Sequence, residues 1–253
     1  YRYTFYDDNT FATLNENGIH NSPSIIHLPG VFAQNEISFS ARKKILLGVR
    51  WDYNSVHGNI FSPRVNYKWS SRDTSHTIRL SAGNGFRVAN IFTEDHAALT
   101  GARTVEFDGA LDPETSWNGN VNYVKKINTE SSFITIDASA FYTYFNNRIL
   151  PDYESDPNKI IYANLEGSSV SQGISLNADF LFTNGLAINA GATLMEVSVT
   201  EDGVKRTQLL TEGFSGVWSI SYKFHNNFSI DYTGNIYGPM RLPLLGENDP
   251  RDE

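Results

Sequence analysis

Cysteine is absent from the sequence, and this absence excludes disulfides, zinc–thiolate sites and thiol catalysis. No apolar run approaches the roughly 20 residues that a membrane-spanning helix needs. Positive charge is scarce, because 20 lysines and arginines are outnumbered by 28 aspartates and glutamates and are too scattered for a nucleic-acid surface. These absences do not exclude a membrane β-barrel protein, because barrel strands need only about 9–11 residues and alternate apolar with polar side chains.

Motifs for catalysis and cofactor binding are equally scarce. The sequence has neither G-x-S-x-G nor H-E-x-x-H. Residues 83–85 (Gly-Asn-Gly) are not a phosphate loop, because no helical pattern follows them. Asp152, Glu154 and Asp156 lack the central glycine and terminal glutamate of a calcium loop, which indicates a solvated loop. We therefore expect no enzyme activity, no cofactor and no metal site, although the sequence does not exclude a pair of carboxylates that catalyses hydrolysis.

Alternation of apolar and polar side chains is what the sequence has in abundance. In residues 44–53, isoleucine, leucine, valine, tryptophan and tyrosine alternate with lysine, glycine, arginine and aspartate, and only Leu46 departs from the pattern. Successive side chains of a strand point to opposite faces, so this pattern predicts strands. We predict about eleven strands joined in sequence and no helix.

The predicted connections alternate in length, as they do in bacterial outer-membrane barrels. Short turns are expected at residues 40–43, 70–75, 128–130, 183–185 and 225–227. Longer loops are expected at residues 7–29, 88–115, 150–159, 199–213 and from 238 onward, with residues 57–59 as a short exception. The chain is expected to be an interior piece of a longer protein.

The apolar side of the predicted strands carries almost no charge, whereas the other side mixes arginine, lysine and aspartate with asparagine, serine and glycine. All four tryptophans are expected on the apolar side and near strand ends, as in aromatic girdles at a membrane interface: Trp51, Trp69, Trp117 and Trp218. We predict that the apolar side contacts lipid and that the polar side lines a lumen. The alternative is that the apolar side is the core of a soluble β-sandwich.

Two segments carry a resemblance to a known family. Residues 85–94 read Gly-Phe-Arg-Val-Ala-Asn-Ile-Phe-Thr-Glu, and residues 111–117 read Leu-Asp-Pro-Glu-Thr-Ser-Trp. They resemble the barrel of TonB-dependent outer-membrane receptors, which usually shows G-x-G-F-R-A-P-N-L-x-E, a loop, and then L-x-P-E-x-S-x-x-x-E. Val88 and Ala89 stand where Ala-Pro is common, and Gly119 and Asn120 stand near the usual acidic residue. The closest resemblance is to siderophore receptors of the Bacteroidetes kind.

The resemblance implies an all-β fold, an antiparallel transmembrane up-and-down β-barrel segment. Residues 1–253 would be a partial barrel domain, about half of a 22-stranded plugged barrel, with the plug domain outside this chain. The implied location is the Gram-negative outer membrane. The implied function is TonB-dependent uptake of a bulky, scarce nutrient, first of all a ferric siderophore. A glycan importer of the same superfamily and a soluble adhesion module are the alternatives, and a barrel enzyme is a weaker third class.

The resemblance also implies partners. The TonB–ExbB–ExbD complex would engage the plug region, the ferric siderophore or another small ligand would bind from outside, and outer-membrane lipid would surround the barrel. A surface lipoprotein is an optional further partner, and nucleic acid is not expected.

Two groups of site residues are predicted. The first, at the end of a strand and in the loops, is expected to bind ligand: Asn84, Arg87, Asn90, Phe92, His96, Phe107 and Tyr153. The simpler alternative for its polar members is hydrogen bonding within turns, and its aromatic members would also suit a glycan. The second group is expected to face the lumen or the plug: Arg50, Arg64, Lys68, Arg79, Asn118 and Asn120. Its cations would either attract an anionic chelate or pair with plug carboxylates.

Overall fold

The computed structural model describes residues 1–6, 23–88, 103–109, 111–153, 155–225 and 228–242. Within these ranges the chain forms sixteen β-strands, and no helix there is long and apolar enough to cross a membrane. The predicted all-β fold class is confirmed. The strands are β1 (Arg2–Tyr6), β2 (Ser24–Leu28), β3 (Gly30–Ser40), β4 (Lys43–Asn54), β5 (Gly58–Ser70), β6 (His76–Arg87), β7 (Thr104–Phe107), β8 (Glu114–Asn128), β9 (Ser132–Asn147), β10 (Ile149–Asp152), β11 (Lys159–Asn164), β12 (Gly167–Phe182), β13 (Leu186–Glu201), β14 (Val204–Thr207), β15 (Phe214–His225) and β16 (Phe228–Tyr237).

One antiparallel sheet holds most of the strands. It runs from β3 through β4, β5, β6, β8, β9, β12, β13 and β15 to β16, each hydrogen-bonded to the next. β2 continues β3 across Pro29, since Tyr53 N donates to Pro29 O at 2.9 Å and Ser55 N donates to His27 O at 3.0 Å. β1 pairs with β2. With β2 and β3 counted as one, eleven strands run up and down in sequence, so the predicted count is confirmed. Within the described chain the sheet is not closed.

The sheet is a single layer with two unlike faces, which we call the apolar face and the polar face. Large side chains of the apolar face are exposed: Leu47 by 46%, Trp51 by 41% and Leu176 by 54%. No second sheet packs on them in the described part of the chain. A β-sandwich would bury this face against a partner sheet about 10 Å away. In the described residues the apolar face is therefore not the buried core of a β-sandwich.

The tryptophans divide between strand ends and the middle of the sheet. Trp69 lies next to the last residue of β5, and Trp51 and Trp117 lie three residues from the ends of their strands. Trp218 is paired with Ala190 and Gly234 in the middle of the apolar face. A Cβ on Gly234 would collide with its ring, so the indole fills the space that the glycine leaves. Trp218 lies four residues from the first residue of β15, so it is the farthest of the four from a strand end.

The polar face is held by side-chain hydrogen bonds between neighbouring strands. Arg79 Nη1 donates to Asn122 Oδ1 at 2.9 Å. Asn122 Nδ2 in turn donates to Asp137 Oδ1 at 2.7 Å and to Ser139 Oγ at 3.0 Å. Polar groups that share a face in this way stabilise strand pairing across β6, β8 and β9.

The connections differ between the two rims of the sheet. Short turns join β3 to β4, β5 to β6, β8 to β9, β12 to β13 and β15 to β16 at what we call the lower rim. In one of them the Asp73 carboxylate accepts hydrogen bonds from Ser71 Oγ at 2.5 Å and Ser75 Oγ at 2.6 Å, which hold the pKa of Asp73 well below its usual range. The longer connections lie at the opposite, upper rim.

Several predicted loops contain strands. β2, β7 and β14 lie inside loops predicted at residues 7–29, 88–115 and 199–213, and β10 overlaps the start of the loop predicted at 150–159. The strand predicted from residue 160 to 182 breaks after Asn164, where Leu165 N donates to Arg148 O at 2.7 Å. These strands are short and pair with distant segments or within the upper rim. Alternation over so few residues does not reveal them in the sequence.

A small sheet stands above the upper rim. β10 pairs antiparallel with β11, and β11 pairs parallel with β7. Its core is Ile149, Ile160 and Tyr162, packed against Val105 and Tyr153. β10 and β11 prolong the β9–β12 hairpin, so the small sheet ties the β6–β8 connection to that hairpin.

Gly173 in β12 allows a close approach between strands. A Cβ there would lie 2.5 Å from Leu194 O and 2.8 Å from the ring of Phe141, whereas a Cβ on Gly119 would meet nothing within 4 Å. We expect Gly173→Ala in the full-length protein to lower the free energy of unfolding by about 1–3 kcal/mol, because the backbone must shift. The matched change Gly119→Ala should be neutral or slightly stabilising. Urea unfolding in detergent, followed by tryptophan fluorescence, measures both, and equal effects would contradict the close approach.

Candidate functional site

The residues predicted to face the lumen share the polar face of the sheet. The register places them there together: Arg50, Arg64, Lys68, Arg79, Asn118 and Asn120. Asn118 Nδ2 donates to Thr143 Oγ1 at 2.7 Å. The geometry brings this group to one surface, and its contact with a plug or ligand stays a prediction.

Arg50 does not add free positive charge to this face. Its Nε and Nη2 donate to the two carboxylate oxygens of Asp52 at 2.6 and 2.7 Å, and Asp52 is fully buried. Gly30, opposite Asp52, leaves room for that carboxylate, because a Cβ at this position would overlap it. Arg64 Nη2 donates to Gln34 Oε1 at 2.5 Å and so has a neutral partner.

A basic groove lies nearer the lower rim. Lys44 pairs in register with Lys68, and Lys68 pairs with Arg79, so three cations stand directly opposite one another across β4, β5 and β6. Glu36 accepts from Lys44 Nζ at 2.7 Å and is the one carboxylate that lines the groove, a cavity of about 430 Å³. Lys68 has no partner among the described residues. Like charges placed directly opposite are destabilising on their own, so the groove favours a negatively charged occupant.

The upper end of the polar face is organised by a buried carboxylate. Glu114 is only 5% exposed. Its Oε2 accepts from Arg87 Nε at 2.5 Å, and its Oε1 accepts from the backbone N of Ile149 at 3.0 Å. One carboxylate thus joins the end of β6, the start of β8 and the start of β10.

Arg148 lies beside this group, between β9 and β10. Its Nη1 donates to Ser169 Oγ at 2.9 Å, and its guanidinium lies 4.9 Å from the centre of the Phe145 ring. Burial lowers the pKa of the Arg148 guanidinium, while the charge of Glu114 raises it and that of Arg87 lowers it further. Arg87, Glu114, Ser116, Phe145 and Arg148 line a cavity of about 410 Å³ at this end of the polar face.

An amide clamp fixes the segment that precedes Glu114. Asn164 Oδ1 accepts from Asp112 N at 2.8 Å, and Asn164 Nδ2 donates to Asp112 O at 3.0 Å and to Asn147 Oδ1 at 2.9 Å. Asn147 Nδ2 donates to Pro113 O at 2.9 Å. Two asparagines of the β9–β12 hairpin therefore position residues 112–113, and with them Glu114.

The predicted ligand-binding residues do not form one pocket. Arg87 lies on the polar face, whereas Asn84 pairs with Trp117 on the apolar face. Phe107 is 43% exposed and its ring centre lies 6.1 Å from that of Tyr162. Tyr153 packs on the core of the small sheet. The remaining three, Asn90, Phe92 and His96, lie outside the described residues. The ligand role of all seven stays a prediction.

Metal binding finds no support in the described ranges, where no cluster of three or more His, Asp or Glu side chains could hold an ion. Among the described residues, the closest approach of a histidine to a carboxylate is His57 Nδ1 to Asp112 Oδ1 at 4.0 Å.

Comparison with protein families shows to which family the chain belongs. Residues 1–242 match the family described as TonB dependent receptor-like, beta-barrel. The chain belongs to this TonB-dependent receptor β-barrel family. The family resemblance inferred from residues 85–94 and 111–117 is thereby confirmed, whereas the finer resemblance to receptors of the Bacteroidetes kind stays a prediction. A search of curated proteins finds no match to the sequence.

Solved structures of similar fold are receptors and a transporter. The siderophore receptor PirA from Pseudomonas aeruginosa is 16% identical, with a TM-score of 0.65 over 85% of this chain and 38% of that one. A variant of the ferric enterobactin receptor PfeA from the same organism is 17% identical, with a TM-score of 0.66 over 92% and 36%. The copper transporter OprC is 14% identical, with a TM-score of 0.68 over 88% and 37%.

These likenesses establish the barrel fold. The chain spans somewhat more than a third of the length of each of these structures. The family and these structures are receptors and transporters rather than enzymes, which agrees with the absence of catalytic motifs from the sequence.

Sequence reasoning singled out the two halves of the TonB-dependent receptor motif but missed how they meet. Arg87 belongs to the first half and Glu114 to the second, and they form an ion pair. Their opposite charges were the available signal. Arg148 and Asn164 lie where alternation breaks, and nothing in the local sequence marks them as neighbours of Glu114.

Glu114→Ala should loosen the upper rim of the TonB-dependent receptor barrel. The change leaves the Ile149 N–H and the Arg87 guanidinium without their acceptor, so we expect a loss of roughly 1–3 kcal/mol in the free energy of unfolding. The matched control Glu36→Ala removes an exposed ion pair with Lys44 and should cost less than about 1 kcal/mol. Urea unfolding of the full-length protein in detergent measures both losses. If Glu114→Ala costs no more than the control, the role of this carboxylate is refuted.

Proposed function

We propose that the chain is the barrel wall of an outer-membrane receptor that imports a bulky, scarce nutrient with energy from TonB, and that this nutrient is a ferric siderophore. The observation that carries the proposal is the single-layered sheet, whose apolar face is exposed and whose polar face carries charges and amides. In this proposal the apolar face contacts lipid and the polar face contacts water, plug and ligand. Such a division is typical of barrels that span the outer membrane.

The height of the apolar band supports a membrane. On β12 the apolar face extends from Ile174 to Phe182, and on the paired β13 from Leu194 to Leu186, which is nine residues on each strand. About 9–11 residues of a tilted strand cross a bilayer. The next residues above this band on the same face, Gln172 on β12 and Glu196 on β13, are polar.

The polar row above the band marks the expected upper membrane boundary. Gln172 Nε2 donates to Glu196 Oε2 at 3.0 Å, and Lys205 Nζ donates to Glu196 Oε1 at 2.5 Å. At the lower end, Lys125 Nζ lies 2.7 Å from His76 Nε2, and His76 Nδ1 lies 2.7 Å from the hydroxyl of Tyr123. Charged and hydrogen-bonded groups at both ends of an apolar band suit the two interfaces of a bilayer.

The same proposal also assigns the other barrel strands, the plug and the partners of the receptor. Residues 1–253 would form about half of a 22-stranded barrel, and the other strands and the plug would lie elsewhere in the protein. The basic groove of Lys44, Lys68 and Arg79 would contact carboxylates of the plug. The plug would engage the TonB–ExbB–ExbD complex below the lower rim, and the long upper connections would meet the ligand outside. A surface lipoprotein, if the receptor has one, would dock on that upper rim.

The siderophore is chosen because two of the similar structures are named as siderophore and ferric enterobactin receptors. A glycan importer is the second candidate, favoured by the exposed ring of Phe107 in the small sheet. Aromatic rings stack on the apolar faces of sugars, whereas an anionic chelate needs cations, such as those on the polar face.

Uptake separates these candidates. Cells that carry the full-length protein as their only receptor of this type are given a ⁵⁵Fe-loaded siderophore or a labelled oligosaccharide, with and without TonB. We expect TonB-dependent accumulation of iron, and no accumulation of the oligosaccharide, because the upper end of the polar face has a basic group, Arg148, for an anionic chelate. A strain without the receptor is the control. Uptake of the oligosaccharide alone would reject the siderophore in favour of the glycan.

Expression of residues 1–253 alone tests the membrane assignment. The exposed apolar face and the unpaired edges of β3 and β16 would have no suitable partner in water, so we expect the fragment to aggregate and to need detergent. Sedimentation with and without detergent is the measurement. A fragment that stays folded and monomeric in plain buffer would rule out a lipid-facing surface.

A further inference from the structure

Arg148 is a partly buried cation whose hydrogen-bonding capacity is largely unused. A guanidinium has five N–H donors. Among the described residues Arg148 makes a single side-chain hydrogen bond, to Ser169 Oγ. Ser169 is itself fully buried, and its hydroxyl donates to Ser198 O at 3.0 Å, so it meets Arg148 as a neutral acceptor.

The nearest carboxylate is already engaged. Glu114 accepts from Arg87 Nε and from Ile149 N, and the described residues contain no ion pair between Glu114 and Arg148. Two guanidiniums and one carboxylate therefore line the same cavity. A buried charge is costly unless it is paired and hydrogen-bonded, so the positive charge of Arg148, whose side chain makes one hydrogen bond to a neutral hydroxyl, favours an anion.

The surrounding cavity has room for such a group. It measures about 410 Å³ and lies on the polar face at the upper rim, lined by Gly85, Arg87, Glu114, Ser116, Phe145 and Arg148. Ser116 adds a hydroxyl, and Phe145 places an aromatic ring beside the guanidinium. Its position toward the long upper connections places it on the side from which a ligand would enter.

We propose that this cavity binds an oxyanion group of the imported ligand, a carboxylate or a phenolate, with Arg148 as the principal contact and Ser116 as a second donor. The inference rests on the proposed uptake function and specifies the charge of its substrate. A planar guanidinium recognises a carboxylate through two parallel hydrogen bonds. The site would select an anionic chelate over a neutral oligosaccharide and would repel a free metal cation.

Equilibrium dialysis of radiolabelled citrate against the full-length receptor in detergent tests the site, with maltotetraose as a neutral comparison. We expect citrate to bind and maltotetraose not to bind at this site. Arg148→Met should weaken citrate binding at least about tenfold, because a charge-assisted contact is lost. Arg148→Lys should weaken it less, since the charge remains. The control Arg72→Met removes the same charge from the lower rim and should change binding by less than about twofold.

A second variant keeps the test decisive if Arg148→Met does not fold. Ser116→Asp leaves Arg148 in place but supplies a carboxylate inside the cavity, so we expect it to abolish citrate binding. Failure of citrate to bind the parent protein would overturn the proposal, as would equal affinity in Arg148→Met or Ser116→Asp. If a carboxylate of the plug already occupied the site, citrate would fail to bind the parent protein.

Uptake measurements distinguish this inference from the proposed function. Citrate binding that depends on Arg148 in a receptor that imports no siderophore would uphold the anion site and reject siderophore transport. Siderophore uptake that is unchanged by Arg148→Met, with citrate binding also unchanged, would uphold transport and overturn the anion site.

Discussion

The structure depends on the separation of side chains onto the two faces of one sheet. In a strand, neighbouring side chains point in opposite directions, so strict alternation produces one apolar and one polar face without any further information. A single-layered sheet with an exposed apolar face is unfavourable in water, because contiguous apolar surface of this size is normally covered. The sheet is stable when an apolar medium contacts its apolar face and water or polar protein groups contact its polar face.

Backbone pairing imposes the second condition. The inner strands of the large sheet exchange hydrogen bonds with a neighbour on each side: β4, β5, β6, β8, β9, β12, β13 and β15. β3 and β16 end this sheet within the described chain. An unpaired edge in hydrocarbon leaves peptide groups without partners, so a lipid-embedded sheet of this kind must close on further strands. The share of each similar structure that the chain covers, somewhat more than a third, agrees with this requirement.

The upper rim concentrates the polar chemistry. Glu114 joins β6, β8 and β10, and Asn164 holds the segment that leads into Glu114. The small sheet of β7, β10 and β11 then covers this end of the wall with its own core. Arg148 lies at the junction of the barrel wall and the small sheet, and its uncompensated charge is a consequence of how these elements meet. The lower rim is simpler, since its turns are short and internally hydrogen-bonded.

Alternation in the sequence was sufficient to determine the all-β class, the eleven strands, the short turns and the side on which Arg64, Lys68 and Arg79 lie, because a period of two is a local property of the chain. The family could also be inferred, from two short segments around Arg87 and Glu114. Only the tertiary structure decided that these two residues form an ion pair, that Asn84 lies on the opposite face from Arg87, and that β7 joins β11. It also decided that Arg148 stands beside Glu114 without pairing with it. Such contacts join segments far apart in sequence, and their geometry depends on the register and packing of the whole sheet.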